Sequence, residues 1–172
     1  SFLADGFDLA FRHQELRGSV SRLVGILKLA ENRHGGSRFA ELAGNLDLAP
    51  TLLDLVGLPN LEHGAGRSLL PWIEGASSSE NPFRSSLILE GSDPPLVAIR
   101  SRDWAYVEPR QGEVISPNIP PELLYQLYDL KTDPSEEKNL YGQNPEMESR
   151  SRLELREFLA LGSGKPAEPL ND

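Results

Sequence analysis

The sequence predicts an α/β chain that ends in a small antiparallel sheet closed by a helix. A continuous apolar run from Val20 to Ala30 has the composition of a strand covered on both faces, as in a parallel sheet. A capped helical segment follows between Asp47 and Leu58. From Ser86 onward the apolar residues recur with a period of two in short runs, and short connections favour antiparallel pairing until a helical stripe appears after Asn144.

Taken in order, Phe2-Leu3-Ala4 reads as the end of a buried strand and Asp5-Gly6 as the turn after it. A helix competes with the strand at Val20–Ala30, and Asn32-Arg33-His34-Gly35-Gly36-Ser37 is a loop. In the next helix Asp47 stands at the N-cap, Pro50 in the first turn and Gly57 at the left-handed closing position. Leu48, Leu52, Leu55 and Val56 share one face of it, which is expected to pack in the core. Ser68 caps a short helix through Trp72 and Ile73 that Gly75 ends, and the serine-rich stretch from Ala76 to Pro82 marks a junction.

Beyond it, Ser86–Glu90 is a strand, Leu96–Glu108 two strands broken at Ser101-Arg102-Asp103, and Leu123–Leu130 a further strand. Asn144-Pro145 opens a helix whose stripe is Met147, Ser151, Leu155, Phe158 and Leu159. Residues 1–76 are therefore expected to form one part, 77–161 the antiparallel sheet with its helix, and 162–172 a loose tail.

The 172 residues carry a formal net charge of -9 with 17 basic residues and no basic run, which argues against nucleic acid and anionic membrane surfaces as partners. No apolar run approaches a membrane span and no signal peptide opens the chain. Cysteine is absent, so neither disulfides nor a thiolate nucleophile are available. The first residue is Ser1 and the only methionine is Met147, which suggests a fragment or processed product of a longer polypeptide.

Three segments then carry a resemblance in the same order: Asp47-Leu48-Ala49-Pro50-Thr51-Leu52-Leu53-Asp54-Leu55-Val56-Gly57-Leu58-Pro59, Gly66-Arg67-Ser68-Leu69-Leu70-Pro71, and Leu127-Tyr128-Asp129-Leu130 running on to Asp133-Pro134-Ser135-Glu136 and Asn139-Leu140. Together they resemble the C-terminal portion of a sulfatase of the alkaline-phosphatase superfamily. The resemblance implies that residues 1–76 are the C-terminal end of an alkaline-phosphatase-like α/β catalytic domain. It also implies a parent that hydrolyses sulfate esters of a small molecule or glycan with a divalent cation, calcium being the expected ion. A periplasmic or secreted parent is consistent with it; the sequence itself leaves compartment and oligomeric state open.

Sulfatases make their nucleophile by oxidising a Cys or Ser in a Cys/Ser-x-Pro-x-Arg motif. Here the one Ser-x-Pro, Ser92-Asp93-Pro94, has Leu96 in place of Arg, so this chain alone is expected to be inactive and to hold no cation. The family's later site includes a strand ending in Ser/Thr-x-Asp-His/Asn-Gly, which Leu3-Ala4-Asp5-Gly6 resembles without the His or Asn, making Asp5 the implied metal ligand. It also includes a Lys or His before an Arg-Val-Pro-Leu-Ile strand; Arg22-Leu23-Val24-Gly25-Ile26 resembles that strand, and His13, nine residues earlier, is the implied catalytic group. Its cationic form would stabilise charge on the sulfuryl oxygens or protonate the leaving alcohol.

His34 and His63 read as loop histidines, Arg33, Arg38 and Arg67 as surface charges, and the Asp129, Asp133, Glu136, Glu137 group as structural. Two alternatives stand beside the sulfatase reading. One is a phosphodiesterase or phosphonate hydrolase of the same superfamily. The other is a non-catalytic module that binds a partner or glycan through the sheet or through exposed Trp104, Tyr106 and Tyr125.

Overall fold

A computed structural model describes Leu16 and residues 25–39, 41–60, 64–76 and 82–163. The described residues fall into two compact units, one made of 25–87 and the other of Leu16 with 88–163. The strand expected at Phe2–Ala4 and the first part of the Val20 run lie outside the described residues, as do Asp5, His13 and His63.

In the first unit, residues 25–29 form no strand, Ile26 is exposed, and Ala30–Asn32 make a single 3-10 turn. This departs from the buried strand expected there, and for a physical reason: no strand among the described residues pairs with it. Helix α1 spans Leu48–Leu55 and closes through Gly57, whose φ of 69° is the left-handed value that the absence of a Cβ permits. Its orientation corrects the expectation. Pro50 and Thr51 are buried, whereas Leu48, Leu52 and Val56 face solvent and Leu55 is half-buried. Periodicity showed which residues share a face, not which face has a neighbour.

From Ser86 onward the chain forms an antiparallel sheet of β1 (Ser86–Glu90), β2 (Leu96–Ser101), β3 (Trp104–Pro109) and β4 (Gln126–Asp129), in sequence order, all but the first two residues of β1 lying in the second unit. Ile99 pairs with Tyr106 across β2 and β3, and Tyr106 with Leu127 across β3 and β4. Val97, Ile99, Trp104, Tyr106 and Leu127 thus share one face, and Leu155 of α3 (Pro145–Ser163) packs on it with Met147 alongside. Leu96, Ala98 and Val107 face the other way, against Leu16, Leu89 and Leu124.

The Asn144 side chain accepts from the Met147 N–H at 3.1 Å, the N-cap that the sequence suggested for α3. The strand expected at Leu123–Leu130 is shorter. Pro121–Leu124 form the helical turn α2, because Pro121 sits at its first position, where proline favours a helix start. Phe158 and Leu159, expected in the stripe, are partly exposed, so the buried face of α3 is narrower than read.

Candidate functional site

Each of the three recognisable segments is a small polar device. In the first unit the organising group is Asp47, whose carboxylate is fully buried. It does not cap α1 with its side chain. It turns back instead to accept from the Gly44 N–H at 2.9 Å and the Arg67 N–H at 2.9 Å, and it meets the Arg84 guanidinium with both oxygens. Burial pushes its pKa up, but the Arg84 hydrogen bond and the two backbone donors outweigh that and hold the carboxyl below its ordinary 3.8.

The Gly66-Arg67-Ser68 turn is pinned to α1 by the same logic. Thr51 Oγ1 donates to the Asp47 carbonyl at 2.5 Å and accepts from the Leu69 N–H at 2.9 Å. Ser68 Oγ donates to Asp54 at 2.6 Å and accepts from the Leu70 N–H at 3.2 Å, tying the turn to α1, though the carbonyl that starts the following helical turn is that of Leu69 and not of Ser68. A Cβ on Gly66 would stand 2.0 Å from the Leu46 carbonyl oxygen, so only glycine fits there. Buried Phe83 lies beneath, with Phe39 and Trp72 edge-on and the Arg67 guanidinium 4.7 Å from its ring centre.

In the second unit, the Asp129 to Leu140 segment is held the same way. Asp129 accepts from the Lys131 N–H and Thr132 Oγ1, which hold its carboxyl below the usual range, the Thr132 bond first. Asp133 accepts from the Glu137 and Lys138 N–H groups, closing the turn. Glu136 is buried 2.6 Å from Arg100 of β2. Asn139 replaces a missing strand: its Oδ1 accepts from Leu127 and Tyr141, and its Nδ2 donates to Tyr125 and Glu122. The reading of this acidic group as structural therefore has a partner for each of Asp129, Asp133 and Glu136.

On the helix-covered face, Tyr106 donates to Glu108 at 2.8 Å while Arg152 of α3 donates to both. Burial pushes the Tyr106 phenol well up, with Glu108 adding to it, so it stays neutral. Trp104 and Tyr106 are buried and Tyr125 stacks on Tyr141 with ring centres 5.1 Å apart. Of the three aromatics named for a non-catalytic module, Trp104 and Tyr106 are thus not exposed, and Tyr125 is half-buried. Leu96, standing where the nucleophile motif needs Arg, is buried in β2.

No group of three His, Cys, Asp or Glu side chains with a metal-holding arrangement occurs among the described residues. Arg33 pairs with Glu74 at 3.1 Å, and His34 is exposed with a φ of 56°. The sequence reading did not single out Arg84 or Arg100. The available signal was indirect, since a carboxylate predicted on a buried turn requires a cation from elsewhere in the chain.

The family model described as N-sulphoglucosamine sulphohydrolase, C-terminal, matches residues 19–160. The chain belongs to this sulfatase family. Arylsulfatase K of Bos taurus is 24% identical over 176 residues, covering 92% of this chain and 30% of the relative. Choline-sulfatase of Rhizobium meliloti (strain 1021) is 40% identical over 105 residues, covering 59% of this chain and 18% of the relative. The chain thus spans less than a third of the length of the curated relatives it matches. Among solved structures, that of BT4656 in complex with its substrate D-glucosamine-2-N,6-O-disulfate superposes with a TM-score of 0.55 at 21% identity, over 70% of this chain and 24% of that one. The fold is the alkaline-phosphatase-like one, and the chain is a C-terminal sulfatase portion.

Proposed function

We propose that this chain completes a sulfatase that hydrolyses sulfate esters of a glycan or small molecule. Within that enzyme it would contribute Asp5 as a ligand to a divalent cation, calcium by family resemblance, and His13 as the cationic group facing the sulfuryl oxygens. The observation that carries the reading is the family match over residues 19–160, reinforced by relatives that are an arylsulfatase and a choline-sulfatase. The sulfated glucosamine in the BT4656 complex supports a sulfated sugar as the substrate class. The phosphodiesterase and phosphonate alternatives are not favoured by these relatives, and the burial of Trp104 and Tyr106 argues against a binding module that uses those two rings.

A carboxylate suits a hard dication, and a cation beside the sulfuryl group strengthens as negative charge develops on its oxygens. The test places this chain downstream of a Cys/Ser-x-Pro-x-Arg segment in one polypeptide and changes His13 to Ala. The expected result is a loss of about a hundredfold or more in kcat, steeper for a poor leaving group than for a good one. If both rates stay within about twofold of the parent, His13 is a bystander.

A further inference from the structure

β4 is the last strand of the sheet, so the backbone groups on its outer side need partners from beyond the ladder. Leu127 turns both of its groups that way: its N–H donates to Asn139 Oδ1 at 3.0 Å, and its carbonyl accepts from the Leu140 N–H at 2.8 Å. The Tyr125 N–H donates to the Pro121 carbonyl, and the Tyr125 carbonyl accepts from Asn139 Nδ2 at 2.9 Å. The Asp129 carbonyl accepts from the Asp133 N–H at 2.8 Å. These outward groups are thus bonded within the chain, although the segment around Asn139 is not a strand.

The Asn139 side chain closes the row. A carboxamide offers two acceptor sites on its oxygen and two N–H donors on its nitrogen. Here Oδ1 accepts from the Leu127 and Tyr141 N–H groups, each at 3.0 Å, and Nδ2 donates to the Tyr125 carbonyl at 2.9 Å and the Glu122 carbonyl at 3.3 Å. Every site of the amide is in use. An aspartate would lack the donors, and an apolar residue would lack both.

We infer that Asn139 guards the β4 edge: its side chain takes the place of a further strand and keeps β4 from pairing with the β4 of a second copy of this chain. The guarded edge is a latent surface for self-association. A second copy is the occupant because Tyr125, Leu127 and Asp129 repeat at every second residue. Two such edges, antiparallel about Leu127, set a donor opposite each acceptor. The formal net charge of -9 on each copy opposes their approach, so salt strengthens the pairing. The inference concerns assembly and does not depend on the activity proposed above.

The experiment compares the full chain with Asn139→Ala and Asn139→Asp, by sedimentation and by amide exchange resolved residue by residue. Alanine removes all the side-chain bonds and opens the edge. Aspartate keeps the acceptor for the Leu127 N–H, loses both donors and sets a negative charge on the edge, so it destabilises without admitting a copy that bears the same charge. The expected result is that Asn139→Ala self-associates at roughly micromolar concentration, at least about tenfold more tightly than the parent or Asn139→Asp, and more tightly as salt is raised. In dilute Asn139→Ala, the Leu127 amide should exchange at least about tenfold faster than in the parent, and concentrating the sample should restore its protection. The Tyr128 amide alternates with that of Leu127 and turns toward β3, so its rate should stay within about threefold of the parent's. An Asn139→Ala chain that stays monomeric overturns the inference. Equal association of both variants ties it to lost stability, and association that weakens with salt marks an ion-pair contact; each also overturns it. If the Leu127 and Tyr128 amides accelerate together, Asn139 holds up the fold as a whole and does not guard an edge.

Discussion

Asp47 shows how one residue organises its surroundings. A fully buried carboxylate held by a guanidinium and two N–H donors is stable only while ionised, because protonation leaves Arg84 facing a neutral group. Its folded pKa lies below the ordinary 3.8, so the sign is fixed: the stabilisation is complete above about the unfolded value and is lost as pH falls through it toward the folded one. The variant Asp47→Asn should be less stable at neutral pH by on the order of 3 kcal/mol and should lose less than the parent between pH 5 and pH 2. Urea midpoints at several pH values decide this; parallel pH profiles would show that Asp47 does not titrate with folding. Gly66 makes an independent case. With the Leu46 carbonyl 2.0 Å from where a Cβ would sit, Gly66→Ala must displace backbone, and a loss at least as large as the 1–3 kcal/mol typical of overpacking is expected in thermal melts.

At the scale of elements, the strands Ser86–Glu90, Leu96–Ser101 and Trp104–Pro109 and the helices at Leu48 and Pro145 were legible, because alternation, capping residues and helical stripes are local signals. What was not legible is what each element meets. Among the described residues nothing covers Leu48, Leu52 and Val56 of the α1 stripe, and Trp104 and Tyr106, readable as a binding platform, lie under α3. The ion pairs Asp47 with Arg84 and Glu136 with Arg100 join residues 37 and 36 positions apart, a distance over which no periodicity speaks. The site residues Asp5 and His13 were named only through family resemblance, since an isolated Asp or His carries no pattern of its own. The α3 stripe yields a graded prediction. Leu155 is fully buried against Val97, Ile99 and Tyr106, so Leu155→Ala should cost about 2–5 kcal/mol. Phe158 is 37% exposed, and Phe158→Ala should cost clearly less; equal losses in denaturant titrations would mean that the outer end of α3 is packed as tightly as its centre.

For the whole chain, the distribution of charge bears on the proposal that it completes a sulfatase and does not act alone. A sulfate ester is an anion approaching a molecule of formal net charge -9, so its binding needs locally placed cations. Among the described residues, Arg84, Arg100 and Arg152 are committed to Asp47, Glu136 and Glu108, where they join segments distant in sequence. The chain also has no Cys, and its one Ser-x-Pro lacks the following Arg, so the activated nucleophile that sulfatases use has no counterpart here. Without a nucleophile, the bond to sulfur must be attacked by water with no covalent intermediate to divide the barrier. The isolated chain is therefore expected to release p-nitrophenol from p-nitrophenyl sulfate no faster than buffer, with or without added calcium. Release that copurifies with the chain, persists after chelation and disappears on thermal unfolding would place a nucleophile within these 172 residues and overturn the division of labour proposed for the sulfatase.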